Sequence, residues 1–192
     1  MRRWCYASRV LPSLAIALAA SLWSAAAARA QSADSFVPVT DAMLQNPAPE
    51  DWLMWRRTLD GWGYSPLDQI TRDNVSDLRM VWSRAMNRGN QEGAPLVYDG
   101  VLYMPNPGDV IQAIDAVTGD LIWEHRRDLP DDLSEYMGGL VTTKRAIAIY
   151  GDVILDTTGD DFLLALDAST GEVAWETEIL DYQVNPALQT AG

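Results

Sequence analysis

Short apolar runs separated by two-residue turns recur along the chain and predict β-hairpins. The first hairpin joins residues 96–98 to residues 101–104 through Asp99-Gly100. The second joins residues 146–150 to residues 153–157 through a Gly-Asp pair. Two-residue connections rich in glycine and aspartate are typical of tight hairpin turns.

A twelve-residue phrase follows each of these hairpins and occurs twice. Residues 113–124 read A-I-D-A-V-T-G-D-L-I-W-E, and residues 165–176 read A-L-D-A-S-T-G-E-V-A-W-E. The two copies lie 52 positions apart and share seven of their twelve residues. Self-similarity at this period is the signature of a repeat architecture.

The phrase itself predicts another hairpin. Gly119 and Gly171 supply a turn that needs positive φ, and Trp123 and Trp175 follow four residues later in the returning strand. These four residues are predicted to have structural roles. Two hairpins in about 50 residues give four strands, which is one propeller blade. The predicted fold is therefore all-β, a β-propeller of four-stranded antiparallel blades.

The number of copies predicts an incomplete propeller of about two to three blades. Residues 73–82 resemble a worn third copy, with a helical turn at 74–78 and a strand at 79–83 that carries Trp82. A closed propeller needs at least four blades. We therefore expect residues 51–192 to be the N-terminal blades of a truncated propeller, with residues 31–50 as an extended arm or short helix.

Residues 1–30 have the composition of a secretory signal peptide. A basic start is followed by the apolar run 11–28, and Ala28-Arg29-Ala30 is a small-x-small cleavage signal, with cleavage expected before Gln31. An uncleaved membrane anchor is the alternative, since the run is nearly long enough to span. Cleavage predicts an exported, periplasmic protein without membrane insertion.

Removal of the leader leaves a strongly acidic chain. Ten basic and 27 acidic residues remain, a net charge of about −17, which argues against nucleic acid or anionic membrane as a partner. Cys5 leaves with the leader and His125 is the single histidine, so neither a disulfide nor a Cys/His metal cluster is expected.

The stretch after the arm carries a family resemblance. Residues 61–82 read G-W-G-Y-S-P-L-D-Q-I-T-R-D-N-V-S-D-L-R-M-V-W, and Trp52, Trp55, Trp62 and Tyr64 form an aromatic cluster suited to a partly buried sheet edge. This phrase resembles the N-terminal stretch of the quinoprotein alcohol dehydrogenases, which use pyrroloquinoline quinone (PQQ). The repeated phrase is similar to their tryptophan-docking motif. The resemblance implies an eight-bladed propeller in which each tryptophan packs against the motif of the next blade.

The resemblance also implies three cofactor contacts. Residues 91–103 match the first full blade of the family, so Glu92 falls where an acid hydrogen-bonds the quinone. Arg145 corresponds to the cofactor-contacting arginine, and a guanidinium suits a ligand with carboxylates and carbonyl oxygens. Thr190 matches a cofactor-contacting threonine.

The implied activity is hydride transfer from an alcohol carbon to PQQ. In the family a bound calcium ion assists, an aspartate removes the hydroxyl proton, and a periplasmic acceptor such as a cytochrome c takes the electrons. The metal ligands, the aspartate and the tryptophan under the quinone are expected beyond residue 192. Many members carry two adjacent cysteines before the arginine, whereas residues 136–141 here contain no sulfur pair but Gly138-Gly139. This departure favours a subfamily that covers the cofactor with glycine-rich backbone.

Several alternatives stay open at the level of sequence. Glu92 is also explained as a solvated acid and Thr190 as a turn residue. Arg145 is also explained by surface pairing with one of three nearby acids, Asp131, Asp132 or Glu135. For the whole chain, the alternatives are a non-catalytic propeller scaffold in the cell envelope and a carbohydrate-binding module.

We predict that residues 31–192 alone neither bind PQQ tightly nor oxidise alcohols, because one wall of a pocket lacks the metal site and the base. The assay is dye reduction by the purified chain with ethanol, PQQ and calcium. Sustained turnover above a protein-free control would contradict the prediction.

Overall fold

The computed structural model describes residues 36–138 and 143–185, and two four-stranded antiparallel sheets dominate this part of the chain. The helices are α1 (Asp41–Gln45), a 3-10 helix (Val75–Asp77) and α2 (Leu133–Met137). The strands are β1 (Asn90–Gln91), β2 (Leu96–Tyr98), β3 (Val101–Asn106), β4 (Val110–Asp115), β5 (Leu121–Arg126), β6 (Thr143–Lys144), β7 (Ala148–Tyr150), β8 (Val153–Thr157), β9 (Phe162–Asp167) and β10 (Val173–Glu178).

Each sheet is one propeller blade. Blade 1 has the strand order β2-β3-β4-β5, and blade 2 has the order β7-β8-β9-β10. Each strand pairs with its neighbour in sequence, and every pairing within a blade is antiparallel. The prediction of an all-β fold built from four-stranded antiparallel blades is confirmed, and two blades are complete within the described residues.

The first hairpin of each blade forms at the predicted turn. Asp99 and Gly100 both have positive φ, 46° and 76°, the conformation of a type I′ turn. In the second blade Gly151 has φ 59°, and Tyr150 pairs with Val153 across the two-residue turn. Two strand ends differ from the prediction: β3 continues to Asn106 rather than ending at residue 104, and β7 begins at Ala148 rather than at residue 146.

The repeated phrase folds through an aspartate-capped turn. The Asp115 carboxylate accepts hydrogen bonds from the amides two and three residues further on, at 2.9 and 2.8 Å. Asp167 makes the same two bonds, both at 2.9 Å. Gly119 and Gly171 then adopt φ 78° and 75°, so each phrase needs its aspartate to start the turn and its glycine to complete it.

Each of these glycines receives a tryptophan from the preceding repeat. The Trp123 ring lies so close to Gly171 that an added Cβ would be 2.5 Å from Cε3. Its indole N–H donates to the carbonyl oxygen of Ala168, at 3.1 Å. Trp82 lies on Gly119 in the same way, with an added Cβ at 2.7 Å, and donates to the carbonyl three residues before that glycine, also at 3.1 Å.

The worn third copy keeps this tryptophan contact but not its strand. The predicted helical turn is present as the 3-10 helix, whereas the prediction of a strand at 79–83 is wrong, since these residues have no regular secondary structure. A strand exists only when its backbone pairs with another strand. No described strand pairs with residues 79–83, and Trp82 joins them to blade 1 through its contacts with Ala116 and Gly119.

The N-terminal arm ties the two blades together. Its short helix α1 is preceded by Val39, which pairs with Gly151 of blade 2. The Tyr98 hydroxyl of blade 1 donates to the carbonyl oxygen of Val37, at 2.7 Å. One continuous core results, with buried members from the arm and from both blades, including Val39, Leu53, Tyr103, Ile111, Ala113, Ile154, Leu164 and Leu166.

The aromatic cluster expected after the arm is only partly formed. Trp52 pairs with Val97 at the edge of β2, as expected for a sheet edge. Trp55, Trp62 and Tyr64 are instead 62%, 79% and 71% exposed, because the described residues offer no sheet face to cover them. Among residues 36–138 and 143–185, no helix has the length and hydrophobicity that crossing a membrane requires.

We predict that Trp123→Ala destabilises the chain by about 3–5 kcal/mol, because it removes a buried aromatic and its hydrogen bond between blades. Trp62→Ala is the matched control and should change stability by less than about 0.5 kcal/mol, since this side chain is exposed. Urea unfolding of both variants measures the difference. Equal, small effects would show that the Trp123 contact does not hold the blades together.

Candidate functional site

The two candidate residues Glu92 and Arg145 meet at the junction of the blades. Strand β1 pairs in parallel with β6, and the Glu92 amide extends this pairing by donating to the carbonyl of Lys144, at 3.0 Å. Arg145 Nε then donates to Glu92 Oε2 over 2.9 Å. The structure therefore brings together two side chains that are 53 positions apart in the sequence.

This ion pair faces solvent. The side chains of Arg145 and Glu92 are 45% and 50% exposed. Exposed ion pairs stabilise proteins by about 1 kcal/mol or less, so fold stability gives little reason for its presence here. A guanidinium and a carboxylate on one open surface offer hydrogen-bond donors and an acceptor to a ligand that carries carboxylate and carbonyl groups.

Gly93 allows the close approach that makes the pair possible. A Cβ at this position would lie 2.0 Å from the carbonyl oxygen of Arg145 and 2.8 Å from Pro105 Cγ. No side chain fits at that distance, so the segment after β1 can lie against the segment after β6 only with glycine at position 93. The glycine therefore permits the close approach of the two segments that carry the candidate side chains.

The ion pair of Arg145 is formed with Glu92 rather than with Asp131, Asp132 or Glu135, the nearby acids named above as alternative partners. Asp132 accepts hydrogen bonds from the Tyr182 hydroxyl at 2.9 Å and from Gln183 Nε2 at 3.0 Å. These bonds fasten the segment before α2 to the residues after blade 2. Helix α2 and Gly138, with φ 56°, belong to the segment in which the family resemblance would place two adjacent cysteines.

Thr190, the third candidate, lies outside the described residues, as do residues 139–142. Its predicted contact with the cofactor therefore stays a prediction. Trp175, predicted as a structural residue, lies on β10, where all six residues are exposed.

A buried ionic cluster lies directly behind Arg145. Lys144 Nζ is 2.7 Å from Asp109 Oδ1, 2.7 Å from Asp156 Oδ2 and 3.0 Å from the carbonyl oxygen of Thr157. The side chains of Lys144 and Asp156 are each 1% exposed. Asp109 also accepts a hydrogen bond from the amide of Gly159. Two carboxylates thus share one ammonium in the interior.

Burial and charge shift the titration of this cluster. Burial raises the pKa of Asp156 to about 6, nearby Asp109 adds to the rise, and Lys144 opposes it. For Lys144, burial acts to lower the pKa, but the two carboxylates outweigh it and the pKa is raised. The ammonium therefore stays charged at neutral pH, and Asp156 takes up a proton at a higher pH than an ordinary aspartate does.

A second ionic contact joins the blades away from Glu92 and Arg145. Arg127 binds the Asp160 carboxylate through Nε at 2.6 Å and Nη2 at 2.8 Å, and reaches Glu176 with Nη1 at 2.8 Å. Its guanidinium also lies 4.5 Å from the centroid of the Phe162 ring. This arginine follows blade 1 directly, and all three partners belong to blade 2.

Sequence reasoning missed Lys144, although a signal was present. Side chains alternate between the two faces along an extended segment. If Arg145 faces solvent to reach a ligand, its neighbour Lys144 must face the interior, where a cation needs acidic partners. The partners Asp109 and Asp156 are distant in sequence, so their identity required the structure.

No metal site is apparent in the part of the chain that the structure describes. Within those residues, no three or more histidine, cysteine, aspartate and glutamate side chains are grouped so that they could hold an ion. Asp109 and Asp156 come together, but Lys144 already occupies the space between them.

Comparison with known proteins places this chain in a family. The PQQ family model, described as the β-propeller domain of glucose, ethanol and alcohol dehydrogenases, matches residues 52–176, about two thirds of the chain.

Curated relatives agree with the family model. The dehydrogenase subunit of the quinone alcohol dehydrogenase of Gluconacetobacter polyoxogenes is 38% identical over 134 residues, covering 69% of this chain and 18% of that protein. The quinoprotein alcohol dehydrogenase PedH of Pseudomonas putida is 31% identical over 187 residues, covering 95% of this chain and 30% of its own length. The chain thus spans less than a third of either relative.

Solved structures agree in fold. The quinohemoprotein alcohol dehydrogenase of Comamonas testosteroni superposes with a TM-score of 0.63 at 30% identity, covering 73% of this chain and 21% of that one. A europium-containing methanol dehydrogenase gives a TM-score of 0.65 at 27% identity, covering 73% and 25%. Both overlaps confirm the propeller architecture.

We predict that deprotonation of Asp156 lowers the free energy of unfolding of the chain as pH rises from about 4 to 6. Its pKa is about 6 when folded and 3.8 as the ordinary value, so the folded state holds the extra proton in this window and losing it costs stability. The Asp156→Asn variant has no carboxyl group to titrate at this position. The free energy of unfolding of the variant should therefore lie below that of the wild type by an amount that shrinks as pH rises. Urea unfolding at several pH values measures it.

The control is Asp115→Asn. Hydrogen bonding from the Thr118 amide lowers the pKa of Asp115 below its ordinary value of 3.8. Its contribution to stability therefore changes mainly below about pH 4, and the difference in free energy of unfolding between wild type and Asp115→Asn should stay nearly constant from pH 4 to 6. A deficit of Asp156→Asn that grows with pH would contradict the prediction, because it would mean that the carboxylate is favoured by folding.

Proposed function

This chain belongs to the PQQ-dependent quinoprotein alcohol dehydrogenase family, and from this premise we propose that it forms one wall of the cofactor pocket of an alcohol-oxidising enzyme. The observation that supports the role most strongly is the Glu92–Arg145 pair. The fold brings these two side chains together at an open surface between blades, at the positions that the family resemblance gives to cofactor contacts.

The described residues fit PQQ in their chemistry. PQQ carries carboxylates and carbonyl oxygens, and Arg145 offers several N–H donors of its guanidinium to such oxygens. Glu92 accepts from Arg145 Nε and so orients the guanidinium, and it also offers a carboxylate oxygen to a protonated group of the cofactor. Thr190 would add a hydroxyl to the same pocket.

When bound, the quinone supplies the acceptor for the hydride of an alcohol carbon. The chain's own residues bind and orient this group. No metal site is apparent among the described residues, so calcium would be bound by residues outside them. The family resemblance likewise implies that the base that takes the hydroxyl proton lies beyond residue 192. We assign the protein to the periplasm, with residues 1–30 as its cleaved leader, residues 31–50 as its arm and a cytochrome c as a suitable electron acceptor.

We predict that Arg145→Ala weakens PQQ binding to the 192-residue chain by about tenfold or more, because a charge-assisted hydrogen bond to a carboxylate is lost. Binding to the wild type is expected to be weak but saturable, and is followed by chemical shifts in an NMR titration. The matched control is Arg126→Ala, since Arg126 is also an exposed arginine in an ion pair, with Glu124 at 3.2 Å.

Equal affinity of the Arg145 and Arg126 variants would contradict the assignment of Arg145. Absence of any saturable response to PQQ in the wild type would contradict the proposed role of this wall and favour a non-catalytic scaffold in the envelope.

A further inference from the structure

All three N–H donors of the Lys144 ammonium are used, and their acceptors come from both blades. Asp109 lies in the turn between β3 and β4 of blade 1, whereas Asp156 and Thr157 lie on β8 of blade 2. Removing one partner from a buried ion pair costs about 3–5 kcal/mol, because the other charge is left without compensation. The ammonium therefore fixes β6 relative to both blades at once.

The backbone of Lys144 carries this constraint to the solvent-facing pair. Its carbonyl accepts the Glu92 amide at 3.0 Å, and its register partner on β1 is Gln91. Arg145 is the next residue along the chain. A shift of Lys144 would therefore move Arg145 directly and Glu92 through the hydrogen bond, and contact with Gly93 leaves the two segments no free space between them.

The cost of burying this cluster points to a purpose other than stability alone. Two carboxylates share one ammonium in the interior, and burial, with a further contribution from Asp109, raises the pKa of Asp156 against the opposing effect of Lys144. Apolar residues of similar size often hold a core together as well or better. A hydrogen-bonded ionic cluster also fixes the orientation of its side chains, since each N–H donor must point at its own acceptor.

We propose that Lys144 is a positioning residue: its contacts with Asp109 and Asp156 anchor β6 to both blades and thereby set the spacing of Glu92 and Arg145. The consequence for PQQ recognition rests on the proposed function. The spacing itself is a property of this chain and is measurable without the cofactor.

The chain contains a matched control for this proposal. The Arg127–Asp160 contact also joins the two blades through a largely buried ion pair, with side chains 13% and 7% exposed. It involves neither β1 nor β6. If both ionic contacts only stabilise the fold, removing either should disturb the hydrogen bond between Arg145 and Glu92 to the same extent. If Lys144 is a positioning residue, only removal of the Lys144 cluster should disturb it.

The test compares two variants of the 192-residue chain. The first is Lys144→Met/Asp109→Asn/Asp156→Asn, which removes the cluster without leaving buried charge; asparagine also tolerates the left-handed φ of 51° at position 109. The second is Arg127→Met/Asp160→Asn. Circular dichroism and urea unfolding establish that each is folded, and Lys144→Arg, which keeps the charge in a larger group, replaces the first variant if it does not fold.

Two readouts follow the surface pair. The first is the NMR signal of the Arg145 Nε–H group, assigned by its loss in Arg145→Lys, which reports the hydrogen bond to Glu92. The second is PQQ affinity in the same titration as above. We expect the Lys144 variant to move the Nε–H signal to that of a solvent-exposed arginine and to weaken PQQ binding about tenfold. The Arg127 variant should keep the signal and bind within about twofold of wild type.

An unchanged Nε–H signal in a folded Lys144 variant overturns the proposal, and so does an equal loss of the signal in both variants. If the wild type shows no PQQ binding, the proposed function fails. The Nε–H signal still decides whether Lys144 sets the spacing, so the two failures are distinguishable.

Discussion

The contact between a tryptophan of one repeat and a glycine of the next is the constraint on which the rest of the structure depends. Trp123 fills the space that Gly171 leaves by lacking a side chain, and its indole N–H meets a backbone carbonyl of the same turn. Trp82 repeats the arrangement against Gly119. Apolar area and one directed hydrogen bond together fix how far apart successive blades lie, and every contact at the blade junction presupposes that distance.

Ionic contacts then add register to this spacing. Lys144, on β6, binds one carboxylate from each blade, whereas Arg127, which follows blade 1, binds two carboxylates of blade 2 at a separate place along the junction. Hydrophobic packing alone tolerates small sliding, whereas a buried ammonium with three fixed acceptors does not. The surface pair of Glu92 and Arg145 contributes little stability itself, and its geometry is inherited from the packing and the ionic contacts behind it.

The sequence predicts those parts of the fold that depend on local chemistry. The hairpin at Asp99-Gly100 and the turn at Gly171 follow from backbone conformations that few residues adopt, and they appear where expected. The prediction of a strand at residues 79–83 was wrong, because a strand needs a pairing partner and the apolar pattern of these residues does not reveal whether one is present. Lys144 was overlooked for the same reason, since its acidic partners are set by tertiary structure. The meeting of Glu92 and Arg145 likewise required the parallel pairing of β1 with β6.

The unequal burial of the two motif tryptophans has an optical consequence. Trp123 is 8% exposed, whereas Trp175 is 44% exposed on a strand whose every residue faces solvent. Indole fluorescence shifts to shorter wavelength when water is removed from around the ring. Any surface that comes to cover β10 should therefore shift the Trp175 emission to shorter wavelength, and the difference from a Trp175→Phe chain isolates this signal from those of the exposed Trp55 and Trp62.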